Sequence, residues 1–267
     1  MEILLLLLLA HLIGDYLLQW RRLAEYKERG DRGALLTHAF LYALAMDFLF
    51  LCAPWQRALP SWLILSLSHG LIDLLRVRAE RKTAEPRARL ISFCADQLLH
   101  LGFILLCYFL FLRGQWTVFL LRLSGALWFR PVFVCATLLL LIWNPAAILV
   151  RRVLALLPPP AESPEPPAEA SRPSAAPQPA PKAPAKQSPA RKRDFRSGEL
   201  IGKLERIIVA ALALCGAASA IGFVLTAKSV ACFKQMDDRN YAERYLVGTL
   251  LSVCFALAAA LLAKALL

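Results

Sequence analysis

Apolar runs follow one another along most of this chain and are separated by short polar segments. Seven of the runs approach the ~20 residues that an α-helix needs to cross a bilayer. They cover 2–20, 33–53, 61–77, 90–112, 131–150, 200–227 and 241–265. The pattern predicts an all-α fold, a polytopic transmembrane helical bundle of about seven spans. A further apolar stretch with aromatic ends, 115–130, is expected to lie in the outer interface as an amphipathic segment.

One segment breaks the apolar pattern. Residues 158–197 hold twelve of the seventeen prolines and almost no large apolar side chain, so they cannot form a packed core. We therefore predict a disordered Pro/Ala-rich linker before the last two helices. The linker divides the chain into a membrane helical core at 1–157 and a C-terminal transmembrane hairpin at 198–267.

Composition and charge agree with a membrane protein. The hydrophobic fraction is 58% and the mean hydropathy is +0.54, values typical of multi-pass membrane chains. The net charge of +12 is concentrated in loops, with five Lys or Arg in 20–32 and six in 76–89. Basic residues placed in this way orient helices in a membrane, so no nucleic-acid partner is expected.

The same basic residues predict the topology. Because cytoplasmic loops carry an excess of Lys and Arg, we place 20–32, 76–89 and the linker in the cytoplasm and the amino end outside. The expected location is a cell inner membrane, and the lipid bilayer is the main partner. The basic stretch Arg191–Arg196 is expected to lie on anionic lipid headgroups.

Ionisable residues recur inside the apolar runs. All four histidines lie there, and three of them have an aspartate four positions away, on the same face of a helix. The pairs are His11 with Asp15, His69 with Asp73, and Asp96 with His100. The fourth histidine, His38, lies near the start of the second run. An ionisable group within a membrane helix is costly, so each is a functional candidate by default.

The predicted topology places these seven groups at a common depth. At a rise of ~1.5 Å per residue, all of them lie ~4–16 Å from the cytoplasmic ends of their helices. They can therefore face one cavity in the inner half of the membrane. We interpret them as a single site.

Four imidazoles and three carboxylates suit a borderline metal, with zinc preferred and manganese or iron as alternatives. Carboxylates in such sites act as ligands, as outer-shell acceptors that orient a histidine, or as the general base. A metal bound by these residues would activate water for hydrolysis. We therefore predict a metal-dependent hydrolase that acts on a lipid or on a membrane-delivered phosphoester or amide. The predicted ligands are His11, His38, His69, His100, Asp15, Asp73 and Asp96, and the predicted catalytic residues are the three aspartates.

Three other interpretations use the same residues. A proton- or metal-coupled transporter would use them as a relay, and would need ionisable groups that continue to the outer face. A non-catalytic membrane scaffold would hold a metal or a haem. The polar residues could also join helices without any metal. The sequence has no Walker loop, no GxSxG elbow and no CxxCH, so nucleotide, serine-hydrolase and c-type haem functions have no support.

Several motifs resemble a known family. The runs HLIGDYLLQ, LLTHA, SHGLID and DQLLH, with a closing block AKSVACFKQ…AERYLVGTLLS, are similar to bacterial multi-pass membrane proteins grouped as domain of unknown function 3307. That family brings no established activity. A more distant likeness is to the membrane-bound metal-dependent hydrolases, which include ceramidase-like enzymes with an intramembrane zinc. Those enzymes carry an HxxxH pair late in the chain, whereas the last two runs here contain no histidine.

Overall fold

The computed structural model describes residues 2–115, 117–158 and 189–267, and within these ranges it is all-helical. Two π-helical turns, Ile13–Leu17 and Tyr108–Leu112, continue the first and sixth helices, and a 3-10 turn, Phe233–Gln235, precedes the last one. The helices are α1 Glu2–Leu12, α2 Arg21–Glu28, α3 Arg32–Ala45, α4 Leu49–Cys52, α5 Trp55–Lys82, α6 Pro86–Cys107, α7 Val118–Ser124, α8 Phe129–Trp143, α9 Pro145–Leu154, α10 Pro189–Leu214, α11 Ala218–Ala231 and α12 Arg239–Leu266.

The predicted all-α transmembrane bundle is confirmed. Among the described residues, five helical segments are long and apolar enough to cross a membrane, and a bent pair at the amino end would make a sixth. Large apolar side chains such as Leu36, Phe40 and Leu67 point outwards, as expected of a surface that lipid covers. The five segments are Arg32–Cys52, Trp55–Lys82, Pro86–Leu112, Phe129–Leu154 and Arg239–Leu266.

The first predicted span ends in a sharp bend. After the π-helical turn Ile13–Leu17 the chain turns by 80°, and α2 lies across the ends of the neighbouring helices. Helix α2 is amphipathic: Leu23 and Lys27 are buried beneath it, whereas Arg21 and Glu25 are exposed. Gly30 ends this segment with a φ of 78°, a conformation that favours glycine.

The span predicted over 200–227 is instead two antiparallel helices, α10 and α11. The break has a local cause, because Gly216 adopts a φ of 73° and the amide of Ala217 donates to the carbonyl of Leu212. This is the αL ending that glycine allows at a helix carboxyl terminus. Apolar composition continues through the turn, which is why periodicity alone did not reveal it.

Because α11 runs back along α10, it determines at which end of the bundle the last connecting segment, between α11 and α12, lies. Arg244, near the start of α12, donates to the carbonyls of Leu154 and Leu157, at the end of α9. At the other end of α12, Leu266 lines a small cavity together with Arg130, from the start of α8. The loop between α11 and α12 therefore lies at the same end of the bundle as the beginning of the linker.

We call this end of the bundle the basic end. It carries α2, the turn between α5 and α6, the end of α9 and the start of α12. The four basic residues of the last connecting segment lie there together with the basic residues of 20–32 and 76–89. They are Lys228, Lys234, Arg239 and Arg244.

The disordered linker predicted over 158–197 lies largely outside the described residues. Its last part is an exception, because α10 begins at Pro189, so residues 189–197 form the first turns of a helix.

The C-terminal helices share a buried cluster with α8. Val209 and Ala210 of α10 pack with Ala256 and Ala260 of α12 against Leu138 of α8. The last two alanines belong to the small-residue stripe at 248, 252, 256 and 260, and small side chains let helices approach closely.

Buried polar links reinforce this packing. Arg206 donates to the carbonyl of Ile142 at 2.7 Å and to the hydroxyl of Ser252 at 2.9 Å. Lys228 donates to Glu205 and to Thr249, which joins α11 to both of its neighbours.

Gly14 marks the closest approach of the amino-terminal segment to α3. A Cβ at this position would lie 2.9 Å from Cδ2 of Tyr42 and 3.3 Å from its Cα. We predict that Gly14→Ala lowers the free energy of unfolding by ~1–3 kcal/mol, because the backbone of α3 cannot move away without loss of packing. Gly102→Ala is the control, since nothing lies within 4 Å of its Cβ. Thermal unfolding in detergent measures both, and equal stability of the two variants would contradict the prediction.

The common position of the basic loops is also testable. Single cysteines placed at Glu28 and Asp237, both exposed, should be labelled from the same side of sealed vesicles in a cysteine-free background. A cysteine at Leu127, beside α7, should be labelled from the other side. Labelling of Asp237→Cys together with Leu127→Cys would show that α11 does not return to the basic end.

Candidate metal centre

All seven predicted site residues are buried and lie together near the basic end. They come from four helical segments, and Lys27 of α2 joins them from the side of the basic end. Asp15 lies within the π-helical turn Ile13–Leu17, a distortion that often accompanies functional residues. The seven are His11, Asp15, His38, His69, Asp73, Asp96 and His100.

Three polar groups of the cluster converge on one nitrogen of His38. Its Nε2 lies 3.0 Å from Oδ2 of Asp73, 3.1 Å from Nε2 of His69 and 3.3 Å from Oδ1 of Asp15. One ring nitrogen carries at most one hydrogen, which cannot serve three partners at once. Four electron-rich atoms that converge in this way match the donors of a shared cation.

Asp73 is held by two fixed cations. The ammonium of Lys27 donates to its two oxygens at 3.0 and 3.3 Å, and Nη2 of Arg76 donates to Oδ1 at 3.1 Å. Both charged side chains of the Lys27–Asp73 pair are almost fully buried, with side-chain exposures of 1% and 3%. Lys27 also donates to Gln19, so its position is set from two sides.

Arg76 continues the network to Asp96 and onwards. Its Nε lies 3.2 Å from Oδ1 of Asp96, and its guanidinium lies 3.7 Å from Glu80. Glu80 pairs in turn with Arg152 of α9 at 3.1 Å. A continuous row of opposite charges therefore connects the cluster with α9, the helix that leads into the linker.

Tyr42 contacts His69 and His11, and His100 packs against both of these histidines. The ring of Tyr42 stacks on His69 with centroids 3.6 Å apart, and its hydroxyl lies 3.3 Å from Nδ1 of His11. The ring centroid of His100 lies 4.5 Å from that of His69 and 5.3 Å from that of His11. Neither ring nitrogen of His100 has a hydrogen-bond partner, although both are buried.

Two groups of donors among the described residues could hold a metal ion. The first is Asp15, His38, His69 and Asp73, and the second is His11, Asp15 and His100. Within each group one atom from every residue lies within 4.8 Å of the others. Imidazole and carboxylate donors suit zinc, manganese or iron. His38 and His69 direct Nε2 towards the other donors, and both ring nitrogens of His100 lack a partner, so an ion bound there would satisfy one of them.

The electrostatic balance of the cluster also fits a cation. Three carboxylates, those of Asp15, Asp73 and Asp96, face the two fixed cations of Lys27 and Arg76. With neutral imidazoles the cluster carries one net negative charge, which is costly in an apolar bundle. Either a proton on a histidine or a divalent cation would remove this imbalance.

Several residues of the site escaped the sequence analysis. Lys27 and Arg76 were interpreted only as residues that set topology, whereas both point into the cluster. A signal existed for Arg76 and Tyr42, because each follows a site residue at the helical spacing of three or four that shares a face. Lys27 offered no such signal, since only the 80° bend before α2 brings it back over the site.

Comparison with known proteins finds a family similar to the first part of the chain, and this family has no assigned activity. A family model described as "Protein of unknown function (DUF3307)" matches residues 3–124. This segment contains every residue of the cluster, from His11 to His100, whereas the carboxyl-terminal block lies outside it. No curated protein and no solved structure matches the chain.

The buried Lys27–Asp73 pair should matter far more than the exposed pair on the same helix. In metal-free protein, we predict that Lys27→Met costs ~3–5 kcal/mol of stability, because it leaves part of a buried negative charge without its partner. Arg21→Gln removes the exposed ion pair with Glu25 and should cost at most ~1 kcal/mol. Chemical or thermal unfolding in detergent with a chelator present compares them. Similar losses in the two variants would show that Lys27 is not buried against Asp73.

Proposed function

We propose that this protein is an intramembrane metal-dependent hydrolase, acting on a lipid or on a membrane-delivered phosphoester or amide. The observation that carries the proposal is the convergence of Asp15, His38, His69 and Asp73, whose donor atoms lie within 4.8 Å of one another in a buried position. When bound there, a divalent cation would polarise the bond under attack and lower the pKa of a bound water molecule towards neutral.

The residues around the donors have separate roles in this proposal. Lys27 and Arg76 hold the carboxylate of Asp73 and so fix its orientation towards His38. Tyr42 holds the rings of His69 and His11. These contacts would keep the donors in place whether or not a cation is bound.

Asp96 is the proposed general base. It belongs to neither group of metal donors, and its Oδ2 lies 3.7 Å from Nδ1 of His100. Arg76, 3.2 Å from Oδ1, and Gln97, 2.9 Å from Oδ2, hold this carboxylate within the cluster. It could accept a proton from the attacking water and pass it to the leaving group.

An apolar layer above the site favours a hydrolase over a transporter. One turn beyond the histidines, Leu7, Leu65 and Ile104 are almost completely buried, and Met46 lies with them in the same hydrophobic cluster. We call these four residues the apolar layer. A transported ion or proton would need polar groups at this level, and the apolar layer supplies none.

The distribution of basic residues supports a cytoplasmic site. Because α11 returns the chain to the basic end, the last connecting segment adds to the excess of Lys and Arg there. We propose that the protein lies in a bacterial inner membrane, with the basic end facing the cytoplasm and the amino end of the chain outside. The site would then open to the inner leaflet, where Arg191–Arg196 would meet anionic headgroups.

Elemental analysis tests the metal directly. Detergent-purified protein should contain a divalent metal, zinc in the first place, and His38→Ala and His69→Ala should each lose most of it, because both supply nitrogen donors. Asp47→Asn is the matched control, since this aspartate bonds Trp62 outside the cluster. A metal-free wild type that remains so after reloading with zinc, manganese or iron would refute the proposal.

Asp96 separates catalysis from binding. We predict that Asp96→Asn keeps the metal and lowers, by ~100-fold or more, the rate of hydrolysis of a phosphoester or amide that the wild type cleaves. This is the loss expected when a general base is removed. Metal content and turnover are measured on the same sample. Loss of metal with the activity would make Asp96 a ligand instead, and unchanged turnover would exclude it as the base.

A further inference from the structure

Asp15 belongs to both groups of metal donors. It contacts His38 at 3.3 Å and also belongs with His11 and His100, and each group places its donor atoms within 4.8 Å of one another. A carboxylate has two oxygens, so one such residue can contact two cations at once.

We propose that the cluster is a two-metal centre in which the carboxylate of Asp15 bridges the ions, and that its substrate carries a phosphate monoester. This inference rests on the proposed metal site and extends it by a second position. The first ion would be held by Asp15, His38, His69 and Asp73. The second would be held by Asp15, His11 and His100.

His100 supplies an independent reason for the second position. It is 3% exposed, and neither of its ring nitrogens has a hydrogen-bond partner. A buried polar group without a partner is costly and calls for an explanation. A cation on one of these nitrogens would give that nitrogen a partner, while Oδ2 of Asp96 lies 3.7 Å from Nδ1, beyond hydrogen-bond distance.

His11 is prepared in a similar way. Its Nδ1 is taken by the hydroxyl of Tyr42, which leaves Nε2 for a cation. This is the arrangement in which an outer partner holds one nitrogen of a ligating imidazole and fixes its tautomer. No lysine or arginine pairs with His11 or His100 among the described contacts, whereas Asp73 already has two. The second position therefore has fewer fixed positive charges beside its donors than the first, which favours a cation there.

The charge of a filled centre indicates the substrate class. The cluster alone carries one net negative charge, so two divalent cations would leave it with three net positive charges. A neutral amide would not compensate such an excess in an apolar bundle, whereas a phosphate monoester brings two negative charges near neutral pH. Pairs of metal ions ~3.5–4 Å apart are a recurrent device for displacement at phosphorus, because they hold the attacking and leaving oxygens together.

Manganese loading tests the second position without any substrate. Full-length protein is stripped with a chelator, reloaded with Mn²⁺ and examined by elemental analysis and electron paramagnetic resonance. We expect about two ions per chain and a spectrum of exchange-coupled ions. His100→Ala should keep about one ion and give the spectrum of an isolated one. Asp47→Asn, as the control, should keep both ions and the coupling.

The wild-type protein decides the question even if the variants fold poorly. One ion per chain with an isolated-ion spectrum would overturn the two-metal centre and leave the proposed hydrolase intact. No bound manganese, and no zinc or iron after the same reloading, would overturn both.

The substrate class is tested on the manganese-loaded protein with three probes. Inorganic phosphate should change the spectrum, whereas acetamide at the same concentration should not. Micelles containing phosphatidic acid should compete with phosphate if the monoester is a lipid headgroup, and should have no effect if it belongs to a soluble molecule. If phosphate changes the spectrum, either result with phosphatidic acid supports the class. A spectrum that neither phosphate nor phosphatidic acid alters would overturn it, while the stoichiometry would still stand.

Discussion

An ionised carboxylate inside an apolar helical bundle must find its counter-charges within the protein, because neither water nor lipid will supply them. Asp73 finds them in Lys27 and Arg76, and the ring of His38 lies 3.0 Å from its Oδ2. Much of the arrangement at the basic end follows from this need. Helix α2 lies across the bundle with Lys27 beneath it, and Arg76 extends the balance of charge to Asp96 and Glu80.

The first helix is distorted beside this network. The π-helical turn Ile13–Leu17 carries Asp15 on the segment that ends in the 80° bend. The amide of Asn144, at the junction of α8 and α9, donates to the carbonyl of Tyr16 in the same turn. The C-terminal helices reach the same junction through Arg206, which donates to the carbonyl of Ile142. The part of the chain outside the family match thus supports the segment that carries the site.

Much of this architecture was accessible from the sequence. The helical spacing of His11 with Asp15, and of His69 with Asp73, predicted shared faces, and the basic loops predicted a common depth. The structure brings all seven groups together. What escaped prediction depends on turns that hydrophobic periodicity does not register. The αL turn at Gly216 lies within continuous apolar sequence, and the bend after Leu17 converts Lys27 from a loop charge into a buried partner of Asp73.

The apolar layer has an electrical consequence. A membrane potential falls mainly across the part of the protein that holds neither water nor mobile charge, and a unit charge that crosses all of it exchanges ~2.3 kcal/mol per 100 mV. The cluster lies between the apolar layer and the basic end, so the part of the fall that crosses the apolar layer lies beyond the cluster as seen from the basic end. An ion that entered from the basic end would not cross the part of the field that falls over the apolar layer. Its occupancy would therefore depend less on the membrane potential than that of an ion that had to cross this layer.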